Sequence, residues 1–200
     1  MPNTKKSAPK GLKLVQEYGN SPPPATKRSL NPKIYEPDYY KKGPGGKVPG
    51  YYGLKAIPIL EERLGRRLTN KEKRIVTEEG LVDGEYYDSK NIITYGVGQT
   101  GEYIKAGFEA SVKEHEDRTR AMIPDYDILP EYLQSELLQS MYRGDLGDSP
   151  TARRLFNQGR YEEAADEFLN HDEYKDRKTP DHIKARILSV SKAMRKYGRE

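Results

Sequence analysis

The sequence predicts an α+β fold, mostly α-helical, with a small β-sheet lobe followed by a helical C-terminal lobe. Three observations predict it. Apolar residues recur at helical spacing from residue 54 to 79, a β-rich stretch broken by turn residues fills 81–97, and helical spacing returns from about residue 102 to the end.

The 200 residues divide near position 53. Residues 1–53 hold nine of the fourteen prolines, including Pro22-Pro23-Pro24, and the glycine cluster Gly43-Pro44-Gly45-Gly46. Such a composition buries too little apolar surface to offset its ordering entropy, so this part reads as an extended or disordered arm. The arm is basic: nine Lys and one Arg against Glu17, Glu36 and Asp38 give +7, so of the chain's net +4 residues 54–200 carry −3. Tyr18, Tyr35, Tyr39, Tyr40, Tyr51 and Tyr52 suit an arm anchored in a partner's groove, and a plain linker is the alternative. No run approaches the roughly 18 apolar residues of a membrane helix, and no secretory apolar core is expected at the N-terminus. Cysteine is absent, which excludes disulfides, thiolate nucleophiles and thiolate metal sites.

In the body, Leu54, Ile57, Ile59, Leu60 and Leu64 stripe a first helix that ends at Gly65. Thr69 with Glu72 three residues on is a capping box for the next, which runs through Ile75 and Val76 to Glu79 and stops at Gly80. Asp83-Gly84, paired tyrosines and Ile92-Ile93-Thr94-Tyr95 then predict a hairpin or three-stranded sheet. Ile104, Phe108 and Val112 mark a later helix, Leu129 to Met141 another, and Leu155, Phe156, Ala164, Ala165, Phe168 and Leu169 belong to shorter ones. Ile183, Ile187, Leu188, Val190 and Met194 line a closing helix after Thr179-Pro180-Asp181.

The segment from Glu78 to Gly98 carries the chemistry. Hydrolysing a glycosidic bond needs a proton for the leaving oxygen and a nucleophile or activated water on the other face of the sugar, and two carboxyls meet both needs. Glu79, at a helix end, is the candidate general acid, and burial or neighbouring negative charge would keep it protonated. Asp88, in a turn beside Ser89 and Lys90, is the candidate base or electrostatic partner. The Thr94 hydroxyl on the next strand can hold a water.

A Glu-Gly ending a helix, an Asp nine positions after that Glu, a Thr six further on, then an aromatic residue and Gly96-Val97-Gly98, resembles the tailed-phage lysozymes, the phage-type muramidase family. Arg160-Tyr161-Glu162-Glu163-Ala164-Ala165, Tyr174 and Thr179-Pro180 resemble its C-terminal lobe, so the likeness spans roughly residues 68–197. The resemblance implies a lysozyme-like fold, with 54–200 as the catalytic domain. It also implies inversion at the sugar, a catalytic triad of Glu79, Asp88 and Thr94, and no cofactor. Gly98 and Gln99 are candidate substrate-binding positions; Gln99 stands where the family commonly has His, which keeps a hydrogen-bonding side chain and loses a titratable one.

Other patterns have plainer readings. Glu78 breaks the spacing to Asp88 and reads as a charged surface partner. Glu114-His115-Glu116-Asp117 and His171-Asp172-Glu173 match no His-Glu-x-x-His motif and read as solvated helix faces or turns, so no metal is expected. Gly96-x-Gly98-x-x-Gly101 lacks the βαβ context of a dinucleotide site and reads as close backbone packing. Arg153-Arg154, Lys192, Arg195, Lys196 and Arg199 read as surface and helix-terminal charges.

The expected function is a peptidoglycan-hydrolysing muramidase acting on bacterial cell wall, carried in a phage virion with a phage structural protein held by residues 1–53. Release from the host cytoplasm to the periplasm and wall at lysis is the alternative location. A catalytically silent lysozyme-like particle protein is one rival class. Nucleic-acid binding through the basic arm is another, although nucleic acid is not the expected partner; steep loss of binding with salt would mark it. A lytic transglycosylase needs no water activator and leaves Asp88 and Thr94 without a purpose.

Overall fold

The computed structural model describes residues 38–43, 46–88 and 90–200, and the expected arm over residues 1–37 lies outside them. The fold is mixed α+β and mostly helical, and a five-stranded antiparallel sheet takes the order β1-β2-β3-β4-β5. Its strands are β1 (Asp38–Gly43), β2 (Gly46–Tyr51), β3 (Leu81–Tyr87), β4 (Ile93–Gly96) and β5 (Gln99–Thr100). Backbone packing divides the described residues into two compact units, with the boundary between Ser111 and Val112.

Two expectations change here. The arm expected to run to residue 53 is in the sheet from Asp38 onward, and the small sheet of 81–97 gains a hairpin from it. The reason is long-range pairing: β2 pairs Gly50 with Val82 and Tyr51 with Leu81, and Val48 and Tyr51 are buried. Proline and glycine content hid a strand that carries two core residues.

Between β2 and β3 run α1 (Ala56–Leu64) and α2 (Asn70–Glu79). Leu60 and Ala56 face inward from α1, whereas Leu54 falls in a preceding 3-10 turn and is exposed. The α2 helix starts as its sequence demands: the Thr69 side chain accepts the Glu72 N–H, and the Glu72 carboxylate accepts the Thr69 N–H at 2.8 Å. Ile75 and Val76 are fully buried, and each such side chain contributes about 1.5–3 kcal/mol.

β3 is irregular. Between the pairs Val82–Gly96 and Tyr86–Thr94 it has three residues where β4 has one. Asp83-Gly84, expected as a turn, lies inside this bulge, where Asp83 forms a buried ion pair with Arg63 of α1. Short α3 (Tyr103–Ala106) closes the first unit, and α4 (Phe108–Met122) crosses into the second.

The second unit holds α5 (Glu131–Arg143), α6 (Pro150–Asn157), α7 (Tyr161–Phe168), α8 (Asp172–Lys175) and α9 (Asp181–Tyr197). Its core is built from Leu133, Leu137, Leu138, Met141, Phe168, Ile187 and Met194, with the Ser191 hydroxyl donating to the Ala165 carbonyl at 2.8 Å. Phe156, Tyr161 and Tyr197 stack and cross edge to face beside it. No helix among the described residues is long and apolar enough to cross a membrane.

Candidate active site

Glu79 is the last residue of α2, and the helix ends there because Gly80 takes φ 75 and ψ −172, a region essentially closed to other residues. A side chain at Gly80 would also collide with its surroundings. A Cβ there would lie 2.7 Å from Tyr52 Cδ1 and 2.9 Å from the Tyr51 carbonyl oxygen. The helix-to-strand corner that carries Glu79 is thus fitted against the last residue of β2 and the tyrosine after it. On its other side, the Gly96–Gln99 turn joining β4 to β5 brings Gly98 close enough that a Cβ on it would be 3.7 Å from Glu79 Oε2.

Asp88 continues the β3–β4 ladder by one pair, its N–H donating to the Ile92 carbonyl at 3.0 Å. Asn91 closes the turn in the left-handed region at φ 61. The Asp88 carboxylate folds back on this turn. Oδ1 accepts the N–H groups of Lys90 and Ile92, each at 2.8 Å, and among the described residues no donor reaches Oδ2.

Thr94 pairs with Tyr86 on β3 and Thr100 on β5, and it is 3% exposed. Its hydroxyl donates to the Ile92 carbonyl at 3.1 Å. That bond uses the proton and leaves lone pairs on Oγ1, so the group can still accept from a water.

Tyr86, the cross-strand partner of Thr94, is buried against Val48 and Val82 and is not among the residues singled out from the sequence. Strand alternation places Tyr86 and Asp88 on one face and the exposed Tyr87 and Ile93 on the other. Burial pushes the Tyr86 phenol far up from its ordinary value, and Tyr52, Glu79 and Asp88 each push it further. The available signal was the period of two: Tyr86 precedes Asp88 by two residues and faces Thr94 across the sheet.

Gln99 turns inward. It is 4% exposed, and its Oε1 accepts the Val97 N–H at 2.6 Å across the β4–β5 turn. Gln99 thereby braces the turn that carries Gly98. Glu78 pairs with Arg74 one helical turn earlier.

On the other face, Tyr95 is pushed up by burial, with Arg63 opposing and Asp83 and Glu85 adding to the rise. Burial also raises Asp83, against the pull of its Arg63 partner. A cavity of about 40 Å³ lined by Leu60, Arg63, Leu81, Tyr95, Val97 and Phe108 lies here. It has room for little more than a water.

In the second unit, His115 is not on the solvated face expected of it. It is buried, its ring 4.8 Å from that of Tyr142. His171 and Glu173 are joined by Asp145, their ligand atoms all within 4.8 Å, a grouping invisible in sequence because Asp145 lies 26 positions upstream of His171. Arg143 already ties this cluster together, donating to Asp145 at 2.8 and 3.1 Å and to Glu173, so a guanidinium serves where a cation would.

The first unit thus holds Glu79 at the corner that leads into β3, Asp88 at the turn that ends it, Thr94 on β4 and the buried Tyr86 phenol on β3. Comparison of the chain with protein-family models finds no match, and comparison with curated proteins finds none either.

Proposed function

We propose that the protein is a peptidoglycan muramidase that cleaves the β-1,4 bond from N-acetylmuramic acid to N-acetylglucosamine. The observation that supports this reading is placement: Glu79 ends α2 with Gly98 against its carboxyl, Asp88 closes the β3–β4 ladder at its turn, and Thr94 is buried on β4 between them along the ladder. In this reading Glu79 protonates the departing glycosidic oxygen. Asp88, through the oxygen that its own turn leaves unused, takes a proton from the water that attacks the anomeric carbon. Thr94 Oγ1 accepts a hydrogen bond from that water and fixes its line of approach. A water between the carboxyls requires a separation of roughly 6.5–9.5 Å and gives inversion. The lysozyme-like fold belongs to the same proposal, as does carriage in a phage virion with residues before the sheet as the docking segment; a released endolysin is the alternative.

A second reading is favoured by one observation: the Thr94 hydroxyl and Asp88 Oδ1 are both engaged in holding the β3–β4 turn. On that basis the site is a relic in a structural particle protein. Digestion of purified peptidoglycan by the wild type and by Glu79→Gln, with products read by mass spectrometry, separates the two. Hydrated reducing ends from the wild type and a loss of about 10²-fold or more in the variant are expected. 1,6-Anhydro ends would point to a transglycosylase, and no products at all to the structural reading.

A further inference from the structure

We propose that Arg63 and Asp83 are positioning residues: their buried ion pair holds the β3 bulge and so selects the register that places Asp88 at its turn. For its catalytic meaning the inference rests on the muramidase reading, whereas the register is a property of the folded chain. The need for a selector follows from the pairing itself. At its base the ladder joins Val82 to Gly96, and toward its tip it joins Tyr86 to Thr94, Tyr87 to Ile93 and, through one N–H bond, Asp88 to Ile92. Between the two parts three residues of β3 oppose one of β4, so the bulge absorbs two residues, an even number. Continuing the base register through an unbroken β3 would set Gly84 opposite Thr94 and Tyr86 opposite Ile92. Every side chain would keep its face, because faces alternate with a period of two. Hydrophobic patterning is therefore blind to the difference. Turn length is equally silent: the observed ladder leaves three residues between Asp88 and Ile92, the alternative five between Tyr86 and Ile92, and hairpins commonly use both lengths.

The features that separate the two registers lie inside the bulge. Gly84 takes φ 144, a conformation that an unbroken strand does not need and that favours glycine, and a Cβ on it would lie 3.0 Å from Val48 Cγ1. Asp83 has no ladder partner on β4; its side chain is fully buried, and Oδ2 accepts from the Arg63 guanidinium of α1. In an unbroken β3 it would join the ladder opposite Tyr95. Gly84 permits the bulge, and the ion pair ties its first residue to a helix instead. The pair is ill suited to a stabilising role. Among the described residues Asp83 Oδ1 and Arg63 Nε are buried without a hydrogen-bond partner, and desolvation outweighs the guanidinium's pull on the Asp83 carboxyl. For such a pair, fixing one arrangement over a near-equal rival is the better-attested role. The register matters because Glu79 lies just before the base of β3 and Asp88 at its tip. Relative to an unbroken β3, the bulge draws Asp88 toward that base by about 6–7 Å, two strand rises. In the alternative register Asp88 leaves the ladder for the turn, and its spacing from Glu79 is no longer held.

The test replaces the pair by apolar side chains of similar size, Arg63→Met with Asp83→Leu in the full chain, and reads the register from cross-strand NOE contacts. The wild type should show Tyr86–Thr94 and Tyr87–Ile93 contacts alone. The double variant should keep a denaturant midpoint at or above that of the wild type and add a second set of contacts, Gly84–Thr94 and Tyr86–Ile92. Wall digestion should fall with the fraction of molecules in the second register. A folded double variant with the wild-type contacts alone overturns the proposal, whatever its stability. If the double variant fails to fold, Asp83→Asn serves, read by amide exchange. The Asp88 N–H, which loses its Ile92 acceptor in the second register, should then exchange about tenfold faster or more, while the Ile75 N–H in α2 keeps its rate. Unchanged exchange at Asp88, or an equal rise at both amides, overturns the proposal. Wild-type protein that digests no peptidoglycan overturns the muramidase reading alone, since the register is read without turnover.

Discussion

Gly98 faces the Glu79 carboxylate: a Cβ on Gly98 would lie 3.7 Å from Glu79 Oε2, and the residue itself has φ 75. The turn is therefore constrained twice, by a backbone conformation that other residues adopt at a cost and by a carboxyl group directly beneath it. Gly98→Ala is expected to lower stability by about 1–2 kcal/mol from the left-handed backbone alone, because 3.7 Å is ordinary van der Waals contact. Gly98→Val adds a branch on the carboxylate and should reduce wall digestion by more than its thermal destabilisation explains. Equal thermal shifts with unchanged digestion in both variants would show that the turn does not abut the working group.

Gln99 is braced to Val97, so its replacement should be a matter of stability. Gln99→Met keeps the length of the side chain and leaves a buried N–H without its acceptor, a loss of about 1–3 kcal/mol. Because neither residue titrates, the pH profile of digestion should keep its shape while the denaturant midpoint falls. A moved pH limb would mean that position 99 tunes the carboxyls, as a His there would.

Truncation separates the arm from the sheet. A chain lacking residues 1–53 loses β1 and β2, the buried Val48 and Tyr51, and the Tyr52 ring against Gly80, and it bares the β3 edge. It should fail to fold cooperatively or should aggregate. A chain beginning just before Asp38 keeps all five strands and should match the wild-type melting curve and its activity on purified wall. Equal behaviour of the two truncations would mean that the hairpin is no part of the fold unit.

How much of this was legible depended on whether the deciding interaction was local. Thr69 and Glu72 announced α2 because a capping box is contained in four residues, and Gly80 announced its end because only glycine takes that φ and ψ. The closing helix α9 was legible because its stripe of Ile187, Val190 and Met194 repeats over 17 residues. The β1–β2 hairpin was not, because its strand character comes from pairing with β3, some 30 residues away, and its composition argues the other way. Tyr86 was missed for the same reason: alternation says which face a residue takes, but its core neighbour Val48 comes from β2. Gln99 was visible as a departure from the family pattern, while its bond to Val97 was not.

Glu72 gives a pH dependence whose sign is fixed by its surroundings. Burial pushes its carboxyl up, but the Arg66 guanidinium, at 2.6 and 2.9 Å, and the Thr69 N–H outweigh that and hold it below its ordinary 4.5. A carboxyl depressed in the folded state contributes stability above its unfolded value, and the contribution is lost as pH falls through the folded value. At pH 7, Glu72→Gln weakens the fork to Arg66 and the capping box together, so a loss of about 1–3 kcal/mol is expected. As the pH falls below about 4.5 the wild type should lose this advantage, and the two melting curves should draw together. Urea denaturation at pH 7, 4.5 and 3 measures it. A gap that stays constant across the three would show that the contribution of Glu72 comes from packing instead of charge.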